Sequence, residues 1–305
     1  MGKNRKAEEY VSQELEPKLF PLLLGESSLR PKRLFYKGAL PEKDSIGIAM
    51  VGTRRPGSSA PELCRRLVHS LKGTKAVIVS GLAQGIDSYC HEAALEAGLP
   101  TIAVIAQGID ARIPGERADL ARRILESGGA ILSEYAGDQA SLKGMFPARN
   151  RIISGLSRAT VLVQSKNKGG ALITADYCLG EGKLLLAVPG DFDSEVACGP
   201  NLYLDCGKAK PIFLPESLRV QAGIPLTAHS QEAPSLQNLA HTGCQLSQEA
   251  TMIFTKFNGF RKTFSEIQAD CNFKTGNILA ILTELEIAGL VQTKDNMQFY
   301  FNGSL

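Results

Sequence analysis

The sequence predicts an α/β fold, a Rossmann-like, doubly wound and mainly parallel sheet, followed by a small winged-helix-like domain. Two patterns indicate this. Between residues 44 and 215, short apolar runs alternate with segments of helical length, which is the order of βα units in a parallel sheet. From residue 246 onward, three helical segments precede two short strand-like runs. The length of 305 residues also exceeds what one hydrophobic core usually serves.

Six short runs rich in Val, Ile and Leu are predicted to be strands. They lack the polar–apolar alternation of a half-exposed strand, so we expect both faces of the sheet to be covered. The strands are Ile46–Val51, Ala76–Ser80, Thr101–Ala106, Ala130–Ser133, Thr160–Gln164 and Leu184–Val188. The helices expected between them are Ser59–Leu71, Asp87–Ala97, Arg117–Glu126, Pro147–Leu156 and Thr174–Gly180.

Three other regions complete the predicted organisation. Residues 1–43 hold a polar opening and an apolar stretch, and we expect an N-terminal lead-in segment there. Residues 216–245 lack periodicity and contain Pro, Gln and Ser, which is typical of a linker. Within residues 246–305, Thr263-Phe264-Ser265-Glu266 has capping-box spacing and predicts the start of a helix. The other elements expected there are a helix after Ser247 through Phe257, a helix over Asn277–Ala288, and a wing of two strands, Leu290–Thr293 and Gln298–Phe301.

The composition narrows the class of protein. The seven Cys are scattered without a C-x-x-C pair and the four His are dispersed, so we expect reduced thiols and no metal site. No apolar run approaches the roughly 20 residues that cross a bilayer, and we expect a cytoplasmic protein without membrane contact. The net charge of +3 arises upstream of residue 247, because residues 247–305 hold five Lys or Arg against six Asp or Glu. A polyanion would be attracted to that upstream part.

A glycine-bearing turn follows the first, second, third and fifth predicted strands. In open α/β sheets, ligands bind beyond the carboxyl ends of the strands, where glycine and helix N-termini let backbone N–H groups approach an anion. The glycines of any one turn can equally serve only to make that turn tight. Four such turns on one edge, with Arg and Lys among them, favour anion binding. The candidate residues are Gly52, Thr53, Arg54, Ser80, Gly81, Gly85, Lys166, Gly170 and Thr174.

The segment Phe146-Pro147-Ala148-Arg149-Asn150-Arg151, with Lys143 just before it, combines one aromatic side chain with cations. An exposed ring among cations can stack an unpaired base while the cations hold its phosphates, and this favours a single-stranded nucleic acid. The residues leave a second possibility open. In that case Phe146 fills the core, and Arg149 and Arg151 form salt bridges with Glu134 or Asp138.

The fingerprints of nucleotide cofactors and of hydrolases are missing from the sequence. There is no Walker sequence, and Gly180-Glu181-Gly182 precedes a predicted strand instead of following one, so we expect no cofactor. Ser80 follows a strand but lacks the G-x-S-x-G elbow. His91 lies one turn after Asp87 on the same helix face, which favours a surface pair over a catalytic base. We therefore predict no catalytic residue.

The run from Ser80 to Leu95 contains Ser80-Gly81-Leu82-Ala83, Gly85-Ile86-Asp87, His91 and Ala94-Leu95. This run resembles the motif S-G-x-A-x-G-I-D-x-x-A-H-x-x-A-L of the DprA/Smf family of DNA-processing proteins. Further similar segments occur in the family's order, from Ile46 to Phe213: Phe146–Ser157, Ala187–Gly190, and Gly199-Pro200-Asn201 with Gly207. The resemblance implies a protein, not an enzyme, that binds single-stranded DNA on the Rossmann-like domain. It also implies a homodimer that protects incoming DNA and loads a RecA-type recombinase in natural transformation.

The resemblance also implies roles for individual residues. Arg54 matches the family's phosphate-binding Arg, Lys143 its DNA-contacting Lys and Phe146 its base-stacking Phe. The residues that match its F-P-x-R-N-R segment are Arg149, Asn150 and Arg151. The sequence departs from the family pattern at Thr53, where Ser is usual, and at Cys90, where Ala is usual. Gln164-Ser165, where Glu-Ala is common, is a third departure, so the details of the phosphate contacts are open.

Two other functions remain possible from the sequence. The segment Lys168–Asp176 distantly resembles the P-G-G-x-G-T-x-x-E motif of phosphoribohydrolases that cleave nucleotide N-glycosidic bonds, with Asp176 in place of the Glu. A sensor that binds a small nucleotide and signals through the second domain is the other. In that domain the third helix carries Glu284 and Glu286, which would face phosphates unfavourably. We expect the domain to contact protein, or its own core domain, instead of duplex DNA.

Overall fold

The computed structural model describes residues 10–21, 23–226, 247–257, 261–271, 273, 275–287, 290–294 and 298–301. The chain divides into two compact units, Met1–Thr227 and Ala228–Leu305. Each unit has a hydrophobic core of its own. Among the described residues, no helix has the length and apolar character that a membrane span requires.

The first unit is built on a nine-stranded sheet whose order is β1-β2-β6-β5-β4-β3-β7-β8-β9. Its strands are β1 Gln13–Leu15, β2 Leu34–Gly38, β3 Ile46–Val51, β4 Ala76–Ser80, β5 Thr101–Ile105, β6 Ala130–Ser133, β7 Ala159–Leu162, β8 Leu184–Ala187 and β9 Lys210–Pro211. From β6 to β9 every neighbouring pair is parallel, whereas β2 pairs antiparallel with β6 and β1 antiparallel with β2. All six predicted strands are present.

Helices cover both faces of this sheet, as the continuous apolar strands predict. They are α1 Ala60–His69, α2 Ile86–Ala97, α3 Glu116–Glu126, α4 Met145–Leu156, α5 Gly170–Gly180, α6 Cys198–Asp205 and α7 Pro215–Gln221. The inward side chains of α1 and α2 pack with one set of alternate strand residues, including Ile48 and Ile78. Those of α4 and α5 pack with the other set, including Val51 and Val79. The doubly wound fold class is therefore confirmed.

The direction of chain winding reverses between β3 and β7. The chain proceeds from β3 outward through β4, β5 and β6 on one side, then returns to β7 and continues through β8 and β9 on the other. The connections after β3 and β7 thus diverge, and a crevice opens beyond the carboxyl ends of these two strands. Ligands of open α/β sheets bind at such a point.

The first 43 residues contribute to the sheet and to its core. The lead-in predicted there is part of the folded unit, because β1 and β2 extend the sheet beyond β6, and Leu24 and Leu34 are fully buried. Apolar periodicity missed the two strands because one is three residues long and the other has a half-exposed second half.

The predicted linker begins too early. Helix α7 occupies its first residues. Leu218 in this helix and Ile224 just after it are buried against the core that α1 and α2 form. Leu226 then forms an isolated antiparallel bridge with Thr74, which lies just before β4. The rest of the predicted linker lies outside the described residues.

The second unit has the order of elements that defines a winged helix. Its helices are α8 Gln248–Phe257, α9 Phe264–Asp270 and α10 Thr275–Ile287, and its strands are β10 Arg261–Thr263, β11 Val291–Lys294 and β12 Gln298–Phe301. The strands form an antiparallel sheet in the order β10-β12-β11. The capping box at Thr263 and Glu266 is present as predicted, whereas β10 was not predicted.

The packing of the N-terminal segment can be tested by two substitutions of the same kind. Leu34→Ala is expected to lower the free energy of unfolding by about 2–5 kcal/mol, because it leaves a cavity in the core. Leu19→Ala removes the same atoms from a side chain that is 56% exposed, and should change stability by less than about 0.5 kcal/mol. Urea denaturation of both variants measures the difference. Equal effects would mean that β2 is not part of the core.

Candidate nucleic-acid interface

The turn after β3 is fixed by the neighbouring turns. The Thr53 amide donates a hydrogen bond to the carbonyl oxygen of Gln164 at 2.7 Å, and the Gly57 amide donates to Oε1 of the same residue at 2.9 Å. The Ile86 amide, at the start of α2, donates to the Thr53 carbonyl oxygen. A Cβ at Gly52 would lie 2.4 Å from Ile86 Cγ1, so only glycine fits between the turn and the helix. The turn is therefore held in one conformation before any ligand arrives.

Arg54 and Phe146 form the exposed centre of the site. The guanidinium carbon of Arg54 lies 5.2 Å from the centroid of the Phe146 ring, a cation–π arrangement. Arg54 is exposed and Phe146, in the first turn of α4, is half-buried. The possibility that Phe146 fills the core is therefore not realised.

Two clefts lie side by side, and both are lined by Arg54, Phe146, Ala83 and Arg149. The first cleft, of about 420 Å³, lies at the crevice between β3 and β7, and the second, of about 460 Å³, lies beyond β4 and β5. Among the predicted site residues, the first cleft brings together Gly52, Thr53, Arg54, Phe146, Arg149, Asn150, Lys166, Gly170 and Thr174. Gly81 lines the second cleft.

Ser80 and Gly85, two of the predicted site residues, shape the loop between β4 and α2 and do not face a ligand. Ser80 is fully buried and its hydroxyl donates to the Met50 carbonyl oxygen at 2.6 Å, so the prediction that it contacts an anion is wrong. Gly85 has a φ of +86°, and a Cβ there would lie 2.5 Å from the Thr53 carbonyl oxygen. Its conformation favours glycine, and its role is to let α2 start beneath the turn after β3.

Arg149 is a buried anchor at the floor of both clefts. Its Nη1 donates to the carbonyl oxygen of Gly81 at 2.6 Å and also to that of Val104. Burial lowers the pKa of Arg149 to about 10, an effect that the charge of Asp87 partly opposes. Burial in turn raises the pKa of Asp87, and Arg149 opposes that shift. Arg149 Nη1 therefore holds the ends of β4 and β5, whereas Arg149 Nε is buried without a partner. The predicted contact of Arg149 with a phosphate stays a prediction.

The next two residues of α4 also bind the protein itself. Arg151 donates to both carboxylate oxygens of Glu134, each at 2.6 Å, and to the Leu29 carbonyl oxygen. This is the salt bridge that the sequence left as an alternative, and it corrects Arg151 as a phosphate ligand. Asn150 Nδ2 donates to the Gly170 carbonyl oxygen at 3.0 Å and so orients the start of α5. Thr174 is buried on the first cleft's inner side.

Exposed cations surround the first cleft. Arg54, Arg55 and Lys168 line it, and in the described part of the chain none of the three has an ion-pair partner. Lys166 lines it as well but pairs with Glu195. Helix α5 begins at the cleft with Gly170, and its first N–H groups carry the positive end of the helix dipole. Arg55 and Lys168 were not among the predicted site residues, although both lie in glycine-bearing turns predicted to bind an anion.

Lys143 lies just before α4 and is exposed. It has no ion-pair partner among the residues that the structure describes, and it is absent from the lining of both clefts. Its predicted contact with DNA stays a prediction.

His91 is buried and does not form the surface pair predicted with Asp87. The Thr101 hydroxyl donates to the Ile78 carbonyl oxygen at 2.9 Å, so the 2.7 Å contact between His91 Nδ1 and Thr101 Oγ1 requires Nδ1 to be the donor. His91 Nε2 is buried without a partner. Burial, and secondarily the charge of Arg149, lowers the pKa of His91 to about 3. A neutral imidazole is therefore part of the core beneath α2.

Cationic turns, a helix N-terminus and a half-exposed ring at a strand switch point define an anion-binding site with a stacking surface. The family model for DNA recombination-mediator protein A matches residues 14–221. This match covers more than half of the chain, so the chain belongs to that family.

Individual relatives agree with the family match. The chain is 31% identical to Protein Smf of Synechocystis sp. over 309 residues, an alignment that covers 92% of this chain and 77% of that protein. It is 38% identical to DNA processing protein DprA of Bacillus subtilis, covering 67% of this chain and 68% of that protein. It is 39% identical to DprA of Streptococcus pneumoniae, covering 56% of this chain and 60% of that protein.

Two solved structures are similar in fold. The X-ray structure of DprA from Streptococcus pneumoniae superimposes with a TM-score of 0.62 at 32% identity, covering 70% of this chain and 75% of that one. DNA processing protein A from Helicobacter pylori superimposes with a TM-score of 0.61 at 28% identity, covering 71% and 98%. The latter structure concerns that protein's binding mode for single-stranded DNA.

The buried histidine predicts a dependence of stability on pH. Between pH about 6.5 and about 3, unfolded His91 takes up a proton that the folded protein excludes, so stability is present above this range and falls as the pH falls through it. The slope is up to about 1.4 kcal/mol per pH unit. The variant His91→Leu should lack this component. Asp87, whose raised pKa acts in the opposite direction, is present in both proteins, so comparing the two profiles isolates His91.

The measurement is urea denaturation of the wild type and of His91→Leu at several pH values from about 7 to about 4. The free-energy difference between the two proteins should change with pH. Parallel profiles would contradict a neutral, buried His91.

Proposed function

We propose that this chain binds single-stranded DNA in the first cleft, with Phe146 stacking a base and Arg54 contacting a phosphate. The observation that carries the proposal is the Arg54–Phe146 pair at the crevice between β3 and β7. Arg54 lies next to the ring and is itself exposed, so an anion that reaches the guanidinium also lies close to the half-buried ring. Membership of the recombination-mediator family and the single-stranded DNA binding mode of the Helicobacter pylori relative support the same function.

The first cleft favours an unpaired strand over a duplex. A single aromatic side chain can stack only on a base whose face is free, and paired bases in a duplex are already stacked on their neighbours. Arg55 and Lys168 also line the first cleft, where they can contact the phosphates of a flexible single strand. Their contacts carry no base information, so we expect weak sequence preference.

The phosphoribohydrolase alternative finds little support at Asp176. Its carboxylate accepts a 2.5 Å hydrogen bond from the Tyr203 hydroxyl, and Asp176 is absent from the lining of the first cleft. We therefore propose a binding protein and not an enzyme. Incubation with nucleoside monophosphates tests this: release of ribose phosphate that Asp176→Asn abolishes would favour the enzyme. A thermal shift with small nucleotides but none with oligonucleotides would favour the sensor.

The cellular role is proposed from the family. A recombination mediator delivers single-stranded DNA to a recombinase, so we propose a RecA-type recombinase as partner, in the cytoplasm, during natural transformation or recombination.

We also propose a homodimer. Three exposed apolar side chains near the short edge strand β9 support it, namely Phe213, Leu214 and Val220. Such a cluster is often covered by another protein.

Substitution of the two central residues tests the binding site. Phe146→Ala should weaken binding of single-stranded oligonucleotides by about 1–3 kcal/mol through lost stacking. Arg54→Ala should weaken binding about equally for all sequences. It should also reduce the slope of log affinity against log salt by about 0.7, the value for one phosphate contact on a single strand. Fluorescence anisotropy over a series of salt concentrations measures both effects.

The matched control is Arg66→Ala. Arg66 is exposed near the end of α1, on the opposite edge of the sheet, and the structure describes no ion pair for it. This variant removes the same charge without touching either cleft, so its salt slope should equal that of the wild type. If Arg54→Ala and Phe146→Ala bind as the control does, the first cleft is not the DNA site.

A further inference from the structure

The second cleft is built as firmly as the first. The loops after β5 and β6 are joined by backbone hydrogen bonds from Gly108 to Gln139, at 2.9 Å, and from Asp110 to Gly137, at 2.8 Å. A Cβ at Gly108 would lie 2.2 Å from the Gly137 carbonyl oxygen, so glycine permits this close contact. The Gln107 side chain donates to the Arg112 carbonyl oxygen at 3.1 Å and holds the end of the first loop. The wall of the second cleft is thus ordered before binding.

The lining of the second cleft suits a nucleotide. The apolar side chains of Ile113 and Pro114 provide a surface for a base, and Phe146 lines the same cleft. Arg112 and Arg117 line the same cleft, and neither forms an ion pair within the described ranges. Asp138 is the one carboxylate in its described lining. Two unpaired guanidinium groups beside an apolar wall are the combination that binds phosphates and bases together.

The charges around the first cleft indicate the direction in which a bound strand continues. Beyond Lys166, the loop between β8 and α6 carries three carboxylates, Asp191, Asp193 and Glu195. Lys166 is neutralised by its ion pair with Glu195, and the charges of Asp191 and Asp193 disfavour further phosphates on this side. On the other side, past Arg54 and Phe146, the cations of the second cleft follow. An adjoining recess of about 330 Å³ adds Glu116 but is also lined by Arg54 and Arg117.

We infer that a single strand crosses from the first cleft over Phe146 into the second cleft, where Arg112 and Arg117 bind its next phosphates. This inference rests on the proposed function of the first cleft and extends it. Because Arg54 and Phe146 line both clefts, the strand need not leave the protein surface between them. The binding unit then spans several consecutive nucleotides, and its far half depends on residues outside the motifs shared with the family.

A length series separates the two halves of this unit. The ligands are labelled oligothymidylates from two to about twelve nucleotides. Wild-type affinity should rise with length until both clefts are filled. The double variant Arg112→Ala/Arg117→Ala should bind the longest ligand about tenfold more weakly, while the dinucleotide binds as before. Its salt slope for the longest ligand should fall by about 1.4, the sum for two phosphate contacts.

A second variant distinguishes a specific loss of binding from a general loss of folding. Asp138→Asn removes the carboxylate of the second cleft, and it should strengthen binding of the longest ligand without affecting the dinucleotide. Damage to the fold would not produce a gain in affinity. The charge-matched control for the double variant is Arg66→Ala/Lys72→Ala, two exposed cations at the opposite edge of the sheet.

The outcomes distinguish this inference from the proposed function. If the control weakens long ligands as much as Arg112→Ala/Arg117→Ala does, or if the latter weakens all lengths equally, the second cleft holds no nucleotide. The same conclusion follows if wild-type affinity stops rising at the dinucleotide. Each of these results leaves the first cleft intact. Loss of the proposed function would instead appear as unchanged dinucleotide affinity in Arg54→Ala and Phe146→Ala.

Discussion

The buried guanidinium of Arg149 is the interaction on which both clefts depend. It joins α4 to the carbonyl groups of Gly81 and Val104, at the ends of β4 and β5. Asp87 of α2 is close enough to raise the pKa of Arg149 against the effect of burial. A Cβ at Gly81 would lie 2.4 Å from Arg149 Nη1 and 2.6 Å from Asp87 Oδ2, so the charged groups close around a glycine. Phe146 lies three residues before Arg149 on α4, one turn above the anchor. The anchor thus fixes the ring between the clefts.

The cations of the site divide into two kinds by burial, although the sequence presents them alike. Arg149 Nη1 and Arg151 Nη1 donate to backbone carbonyls, and Arg151 also forms an ion pair with Glu134. Arg54 and Arg55 are exposed on a turn whose backbone is already fixed. Free donors can bind a ligand at little cost in protein rearrangement, whereas the buried donors would first have to break internal hydrogen bonds. Rigid support and ligand contact are therefore separate tasks.

Local patterns predicted the elements that depend on local sequence, and failed where distant partners decide. The strands from β3 to β8 are continuous apolar runs and were found, whereas β2 becomes a strand only by pairing with β6, far along the chain. Spacing left the place of Phe146 open, and the structure puts Arg54 next to its ring. Spacing also could not decide that Arg151 meets Glu134 and the Leu29 carbonyl. His91 lies on the same face of α2 as Asp87, as the spacing predicts. That the face is buried follows from packing against β4 and β5, which no periodicity within α2 reveals.

The electrostatic state of the unliganded site favours an anion. Burial is the main cause that lowers the pKa of Arg149, and the charge of Arg54 lowers it further because the two positive charges repel each other. Their repulsion destabilises the folded protein slightly, and a phosphate next to Arg54 would remove part of that cost. Two backbone carbonyl groups hold Arg149 Nη1, so the guanidinium contributes a fixed positive charge at the floor of both clefts. Affinity for a polyanion is therefore built into the fold at some expense of stability, as is usual for binding sites.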